Sequence, residues 1–233
     1  MSAAQVYGLG VGPGDPELLT LKALRLLRAA PVIAYPAPET GDSFARSIVA
    51  PHLPGGQKEI AIRMPIGDGS FPKPDIYDRA ARDILSEVRA GRDVAVLCEG
   101  DPFFYGSFMY LHARLARDCT ISIVPGVSSL MACAAMAGVP LSARNESLTV
   151  IPAPLPDEAL RTRLVNGNAA AIVKVGRHLP RVRRVIESAG IMSRALLVER
   201  ATLAEQRIRR LADVDDDSVP YFSMILIAGE GAP

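Results

Sequence analysis

Apolar positions along this chain fall into short strand-length runs that alternate with stretches of helical spacing. Residues 6–11 form a short apolar run interrupted by glycines, and Gly12-Pro13-Gly14-Asp15-Pro16 turns it sharply into a predicted helix. Asp15 can cap that helix, and Pro16 suits its first position because the amide it lacks has no partner there. Leu18, Leu21, Leu24 and Leu27 are expected to pack inward or against a neighbour, with Lys22, Arg25 and Arg28 on a wet face. Strands are predicted at 31–35 and 59–63, and a long Pro- and Gly-rich loop at 64–74. Ile76, Tyr77, Ala80, Ala81, Ile84, Leu85 and Val88 make one helical stripe that stops at Gly91. Residues 94–99 then read as a buried strand.

The second half continues the alternation less regularly. Strands are predicted at 120–124, 148–151, 170–175, 195–199 and 221–227, and helices at 128–137, 157–165 and 181–188. Strands alternating with helices imply right-handed crossovers and an α/β fold. So many strands exceed one comfortable sheet. Two α/β domains are therefore expected: 1–117 with a mainly parallel sheet, and 118–233 with a mixed one, because the short polar connection 201–206 suits a hairpin. Ligands of such sheets sit beyond the carboxyl ends of the strands.

Composition narrows the function. The 233 residues are 49% hydrophobic, and 26 basic against 25 acidic residues leave a net charge of +1. That balance gives no field to draw the chain onto nucleic acid. Cys98, Cys119 and Cys133 are far apart, and His52, His112 and His178 lack metal-ligand spacing, so neither a disulfide framework nor a metal site is indicated. No window reaches the roughly 18 apolar residues of a membrane helix, and a cytoplasmic address is expected.

Three strand-to-helix loops carry the candidate chemistry. The first, Gly8-Leu9-Gly10-Val11-Gly12-Pro13-Gly14-Asp15, lacks the spacing of a dinucleotide or phosphate loop, which leaves a close backbone approach to a ligand or a tight turn. The second is Glu99-Gly100-Asp101-Pro102-Phe103-Phe104-Tyr105-Gly106-Ser107. Its acid, glycine and aromatics suit a ligand with a positive or hydroxylated part and a flat ring, or a helix cap above core aromatics. The third, Val124-Pro125-Gly126-Val127-Ser128-Ser129, puts two hydroxyls beside free helix amides, where capping alone would also explain them.

Taken together and in this order, the loops resemble those of the tetrapyrrole methylases, as does the segment Gly138-Val139-Pro140-Leu141-Ser142-Ala143-Arg144. Ala34-Tyr35-Pro36-Ala37-Pro38, the run from Cys98 to Leu111 and Tyr221-Phe222-Ser223-Met224-Ile225 are similar to the branch acting at carbon 20 of precorrin-2. The resemblance implies a homodimer of two-domain chains with S-adenosylmethionine in the cleft between domains, no metal, and a small-molecule tetrapyrrole as substrate. It implies methyl transfer giving precorrin-3A in cobalamin biosynthesis. Alternatives are cobalt-factor II as the substrate, a non-catalytic S-adenosylmethionine-binding module, or the diphthine synthase branch, against which the segment from Glu99 to Leu111 argues. By the resemblance, Gly10, Pro13, Glu99, Gly100, Asp101, Phe104, Ser128, Ser129, Val175 and Ala201 are the cofactor-binding positions. Ala201 stands where relatives often carry glycine. Arg144 is the candidate for gripping a substrate carboxylate, with Arg63, Arg177 and His178 behind it. No catalytic base is assigned.

Overall fold

A computed structural model describes residues 3–65, 74–165 and 169–229. The chain divides into two compact units, 1–128 and 129–233. The first holds the strands β1 (Val6–Gly10), β2 (Val32–Pro38), β3 (Lys58–Met64), β4 (Val94–Cys98) and β5 (Ile121–Val124). They form one parallel sheet in the order β3-β2-β4-β1-β5. Because β5 pairs with β1, the first unit runs to Ser128, eleven residues beyond the expected division at 117.

Both faces of this sheet are buried. Val94, Val96 and Cys98 point to the helices α3 (Pro74–Arg89) and α4 (Phe108–Leu115), whereas Ala95 and Leu97 face α1 (Leu21–Ala29) and α2 (Phe44–Val49). That explains why β4 reads as an unbroken apolar run rather than an alternating one. The predicted α3 stripe is the buried one, and Glu87, which shares its face, is neutralised by Lys58 and Arg92 at 2.7 Å each. Most of the predicted loop at 64–74 lies outside the described residues.

Two local expectations are corrected. The helix expected from Asp15 is a 3-10 turn, Pro16–Leu18, capped by Asp15, and an extended Leu19 separates it from α1. The α1 helix starts afresh under a Thr20 cap and buries Ala23, Leu26 and Leu27, leaving Leu21 86% exposed. The proline and its cap favour a first turn, but a separate cap five residues later restarts the helix in a different phase. The α2 helix forms where the sequence pattern predicts no element, although Ala45, Ile48 and Val49 have helical spacing.

The second unit contains α5 (Ser129–Ala137), β6 (Leu148–Pro152), α6 (Asp157–Val165), β7 (Ala169–Val173), α7 (Leu179–Ser188), β8 (Ala195–Glu199), β9 (Arg207–Arg210) and β10 (Ser223–Ile227). Its sheet runs β6-β7-β10-β8-β9 and is mixed: β6 and β7 are parallel, and the other pairs antiparallel. The β8–β9 hairpin closes through 201–206, as the polar connection predicts. The α6 and α7 helices cover one face, where Ile151, Leu160, Ile172, Leu179 and Ile186 form the core.

Candidate functional site

Strand order locates the site in the first unit. After β1 the chain crosses β4 to reach β2, and after β4 it crosses β1 to reach β5. The carboxyl ends of β1 and β4 therefore flank the point where the connections diverge, the place where open α/β sheets bind ligands. Gly10 and Gly12 end one strand, and Glu99, Gly100 and Asp101 end the other.

The backbones meet there without side chains between them. Gly12 donates to the Gly100 carbonyl at 3.3 Å, Gly100 donates back at 2.8 Å, and Val11 donates to Cys98 at 2.9 Å. A Cβ on Gly10 would fall 2.6 Å from the Gly126 Cα, and one on Gly126 would fall 2.8 Å from the Gly10 Cα. Neither residue has room for a side chain, so close approach rather than turn geometry requires these glycines. All three sequence-identified loops thus converge on one junction.

Asp101 fastens the junction. One carboxylate oxygen accepts from Phe103 N at 2.9 Å and the other from Gly126 N at 3.1 Å, so this group ties the second loop to the third. The Phe104 ring packs edge-on against Tyr105, which itself takes a left-handed backbone (φ 55°). Pro13 is half-buried beside the junction, and Ser128 ends the first unit.

Glu99 behaves differently from Asp101. Its carboxyl accepts from the Ala45 amide at the start of α2, and burial raises its pKa to about 7. Beyond α2 lies a polar pocket of about 190 Å³ lined by Tyr35, Ser43, Arg46 and Arg63 among others. Arg46 grips Glu59 with two bonds of 2.7 Å, and Tyr35 donates to the same carboxylate at 2.5 Å. The Arg46 bond holds Glu59 below the ordinary carboxylate range, and burial raises the Tyr35 hydroxyl. This network was missed in the sequence because its members are 13 and 24 residues apart; only the parallel pairing of β2 with β3 assembles it.

The remaining predicted residues belong to the second unit. Val175 is fully buried in that unit's core and Ala201 nearly so, which leaves mainly their backbones to meet a ligand. Both follow residues with left-handed backbones, Lys174 (φ 59°) and Arg200 (φ 48°), at the carboxyl ends of β7 and β8. Ser129 opens α5. Arg144 is exposed with a left-handed backbone (φ 49°) in a turn fixed by Glu146, which accepts from Ala143 N at 2.8 Å. Among the described residues, no three of His, Cys, Asp and Glu group as metal ligands, and no helix is long and apolar enough to cross a membrane.

Comparison with known proteins agrees with this architecture. The chain is 43% identical over 232 residues to a Mycobacterium bovis protein named Cobalamin biosynthesis protein CobIJ, covering 96% of this chain and 46% of that one. It thus spans about half the length of that relative. A Sinorhizobium protein named Precorrin-2 C(20)-methyltransferase is 38% identical, with 98% of this chain and 97% of that one covered. A Thermus thermophilus uroporphyrin-III C-methyl transferase, solved with S-adenyl homocysteine, superposes with a TM-score of 0.70 at 28% identity, covering 97% and 92% of the two chains. Residues 5–215 match the sequence profile of the Tetrapyrrole (Corrin/Porphyrin) Methylases, and with three converging loops on the parallel sheet of one unit and a mixed sheet in the other, the chain belongs to that family.

Proposed function

We propose that this chain transfers a methyl group from S-adenosylmethionine to carbon 20 of precorrin-2, giving precorrin-3A in cobalamin biosynthesis. The observation that carries this reading is the glycine junction at the diverging strand ends, in a chain 38% identical to a near-equal-length protein named for that reaction. The glycines let the three loops close together at the strand ends, where the proposed donor would lie. Gly10, Pro13, Gly100, Asp101, Phe104 and Ser128 are the proposed donor contacts in the first unit, and Ser129, Val175 and Ala201 those in the second. Glu99 neighbours this set.

The donor supplies an electrophilic methyl group when bound. The chain's part is to hold the ring carbon in line with that methyl group and to exclude water, which needs no nucleophile on the protein. Arg144 is proposed to hold a ring carboxylate through its planar fork. The reading extends to a cytoplasmic homodimer using no metal. Methyl-labelled S-adenosylmethionine with precorrin-2 and, in parallel, cobalt-factor II tests it: label should enter precorrin-2, and preference for the cobalt compound would reassign the substrate.

A further inference from the structure

We propose that Arg63, with Arg46 beside it, grips a second carboxylate arm of the tetrapyrrole in the polar pocket at the carboxyl ends of β2 and β3. The assignment deepens the methyltransferase reading above and rests on it. The pocket measures about 190 Å³, below the roughly 300–1,000 Å³ that encloses a whole drug-sized ligand. It therefore suits one arm of a ring whose body lies outside it.

Strand register puts this pocket beside the glycine junction. Val32, Ile33 and Ala34 of β2 pair in parallel with Val94, Ala95 and Val96 of β4, so the two strands run to the same sheet edge about 4.8 Å apart. Beyond those pairs β2 continues into Tyr35 and Ala37, which line the pocket, and β4 leads into Glu99, Gly100 and Asp101. Arg63 is the β3 partner of Ala37, which sets the two residues side by side at that edge. One strand spacing separates the junction strand from the pocket strand, a reach that a short carboxylate arm spans.

Both arginines that line the pocket keep hydrogen-bonding capacity. Arg63 Nη1 donates to the carbonyls of Pro38 at 2.9 Å, Gly41 at 3.3 Å and Glu39 at 3.5 Å, which fixes the fork against the loop that follows β2. Among the described residues its Nε and Nη2 make no hydrogen bond, and no carboxylate forms an ion pair with it. Three backbone carbonyls thus orient the guanidinium without neutralising it. Arg46 gives Nε and Nη2 to Glu59 and keeps Nη1. An oriented, charged fork with N–H groups unspent is what a carboxylate binds best. Glu59 balances the Arg46 charge, and Asp42, an exposed lining residue, opposes an anion, so the attraction rests on Arg63. The Ser43 hydroxyl is committed to the Pro36 carbonyl.

The test measures equilibrium binding of precorrin-2 with S-adenosyl-homocysteine in the donor site, beside the affinity for S-adenosyl-homocysteine itself and thermal stability. Arg63→Ala should weaken precorrin-2 binding by roughly fivefold to fiftyfold, the lower range for a charge-assisted bond because Arg63 is exposed, with donor affinity changed less than about threefold. Arg63→Lys should recover part of the loss. Because Arg63 also holds the loop at 38–41, a second pair of variants leaves its carbonyl bonds in place. Ser47, exposed on α2, lines the same pocket. Ser47→Glu sets a competing carboxylate there and should weaken precorrin-2 binding more than the uncharged Ser47→Gln, and this pair decides the matter if Arg63→Ala melts early. Precorrin-2 affinity unchanged in a folded Arg63→Ala, or equal in Ser47→Glu and Ser47→Gln, overturns this assignment alone, even where the pocket takes up inorganic phosphate. Equal loss of donor affinity in Arg63→Ala overturns it as well. An unaltered chain that neither binds nor methylates precorrin-2 or cobalt-factor II overturns the underlying reading and this assignment with it.

Discussion

At the scale of single residues, the junction is fixed by what cannot be added to it. Gly10→Ala places a methyl group against the Gly126 backbone, which cannot yield as a flexible side chain would. Overpacking of this kind costs roughly 1–3 kcal/mol, so the variant should melt several degrees lower and lose donor affinity together. Calorimetry alongside a thermal melt checks it; unchanged binding would place the ligand elsewhere. Each Asp101 carboxylate oxygen accepts from one loop amide, so the residue also sets the position of the second and third loops. Asp101→Asn keeps an acceptor for Phe103 and loses the one for Gly126. It should therefore weaken donor binding less than Asp101→Ala, with both variants folded. Arg144→Ala should raise the tetrapyrrole KM about tenfold to a hundredfold, the worth of one charge-assisted bond, and leave donor affinity alone. Arg144→Lys should recover part of that loss, since the charge survives and the fork does not. Early melting of Arg144→Ala would make the residue structural instead.

At the scale of elements, the tie between β3 and α3 makes a pH prediction. Glu87 is held below the usual carboxylate pKa by Arg92 and Lys58. A carboxyl with a depressed folded pKa adds stability above its unfolded value of about 4.5, and that stability disappears as pH falls through the folded value. Glu87→Gln should therefore lower Tm at pH 7 and converge with the unaltered chain well below pH 4; equal differences at both pH values would exclude the linkage. Buried parallel strands and the α3 stripe were legible because their periodicity is strong and local. The break before α1 was not, since Asp15 and Thr20 are both good caps and only packing of Ala23, Leu26 and Leu27 selects the second register. The end of the first unit at 128 escaped for a similar reason: nothing in residues 121–124 records that their partner is β1, more than a hundred residues earlier. The three loops were legible as strand-to-helix loops, and they meet at one junction. The network of Tyr35, Arg46 and Glu59 was not, because it exists only through strand pairing.

At the scale of the whole molecule, the parallel sheet and the mixed sheet follow from connection lengths: long crossovers in the first unit and a short hairpin in the second. Their exposed apolar residues bear on assembly. Leu21 and, in the second unit, Met131 and Met136 are large and exposed, while α5 is apolar on nearly all sides. Light scattering at micromolar concentration should give twice the mass of one chain, and a single-chain mass would remove the homodimer. The most direct test of the central claim is turnover by the purified chain with methyl-labelled S-adenosylmethionine and precorrin-2. The account predicts one labelled methyl group per product molecule, at carbon 20, with an equal amount of S-adenosyl-homocysteine released. Tight donor binding by a folded chain that labels neither precorrin-2 nor cobalt-factor II would contradict it.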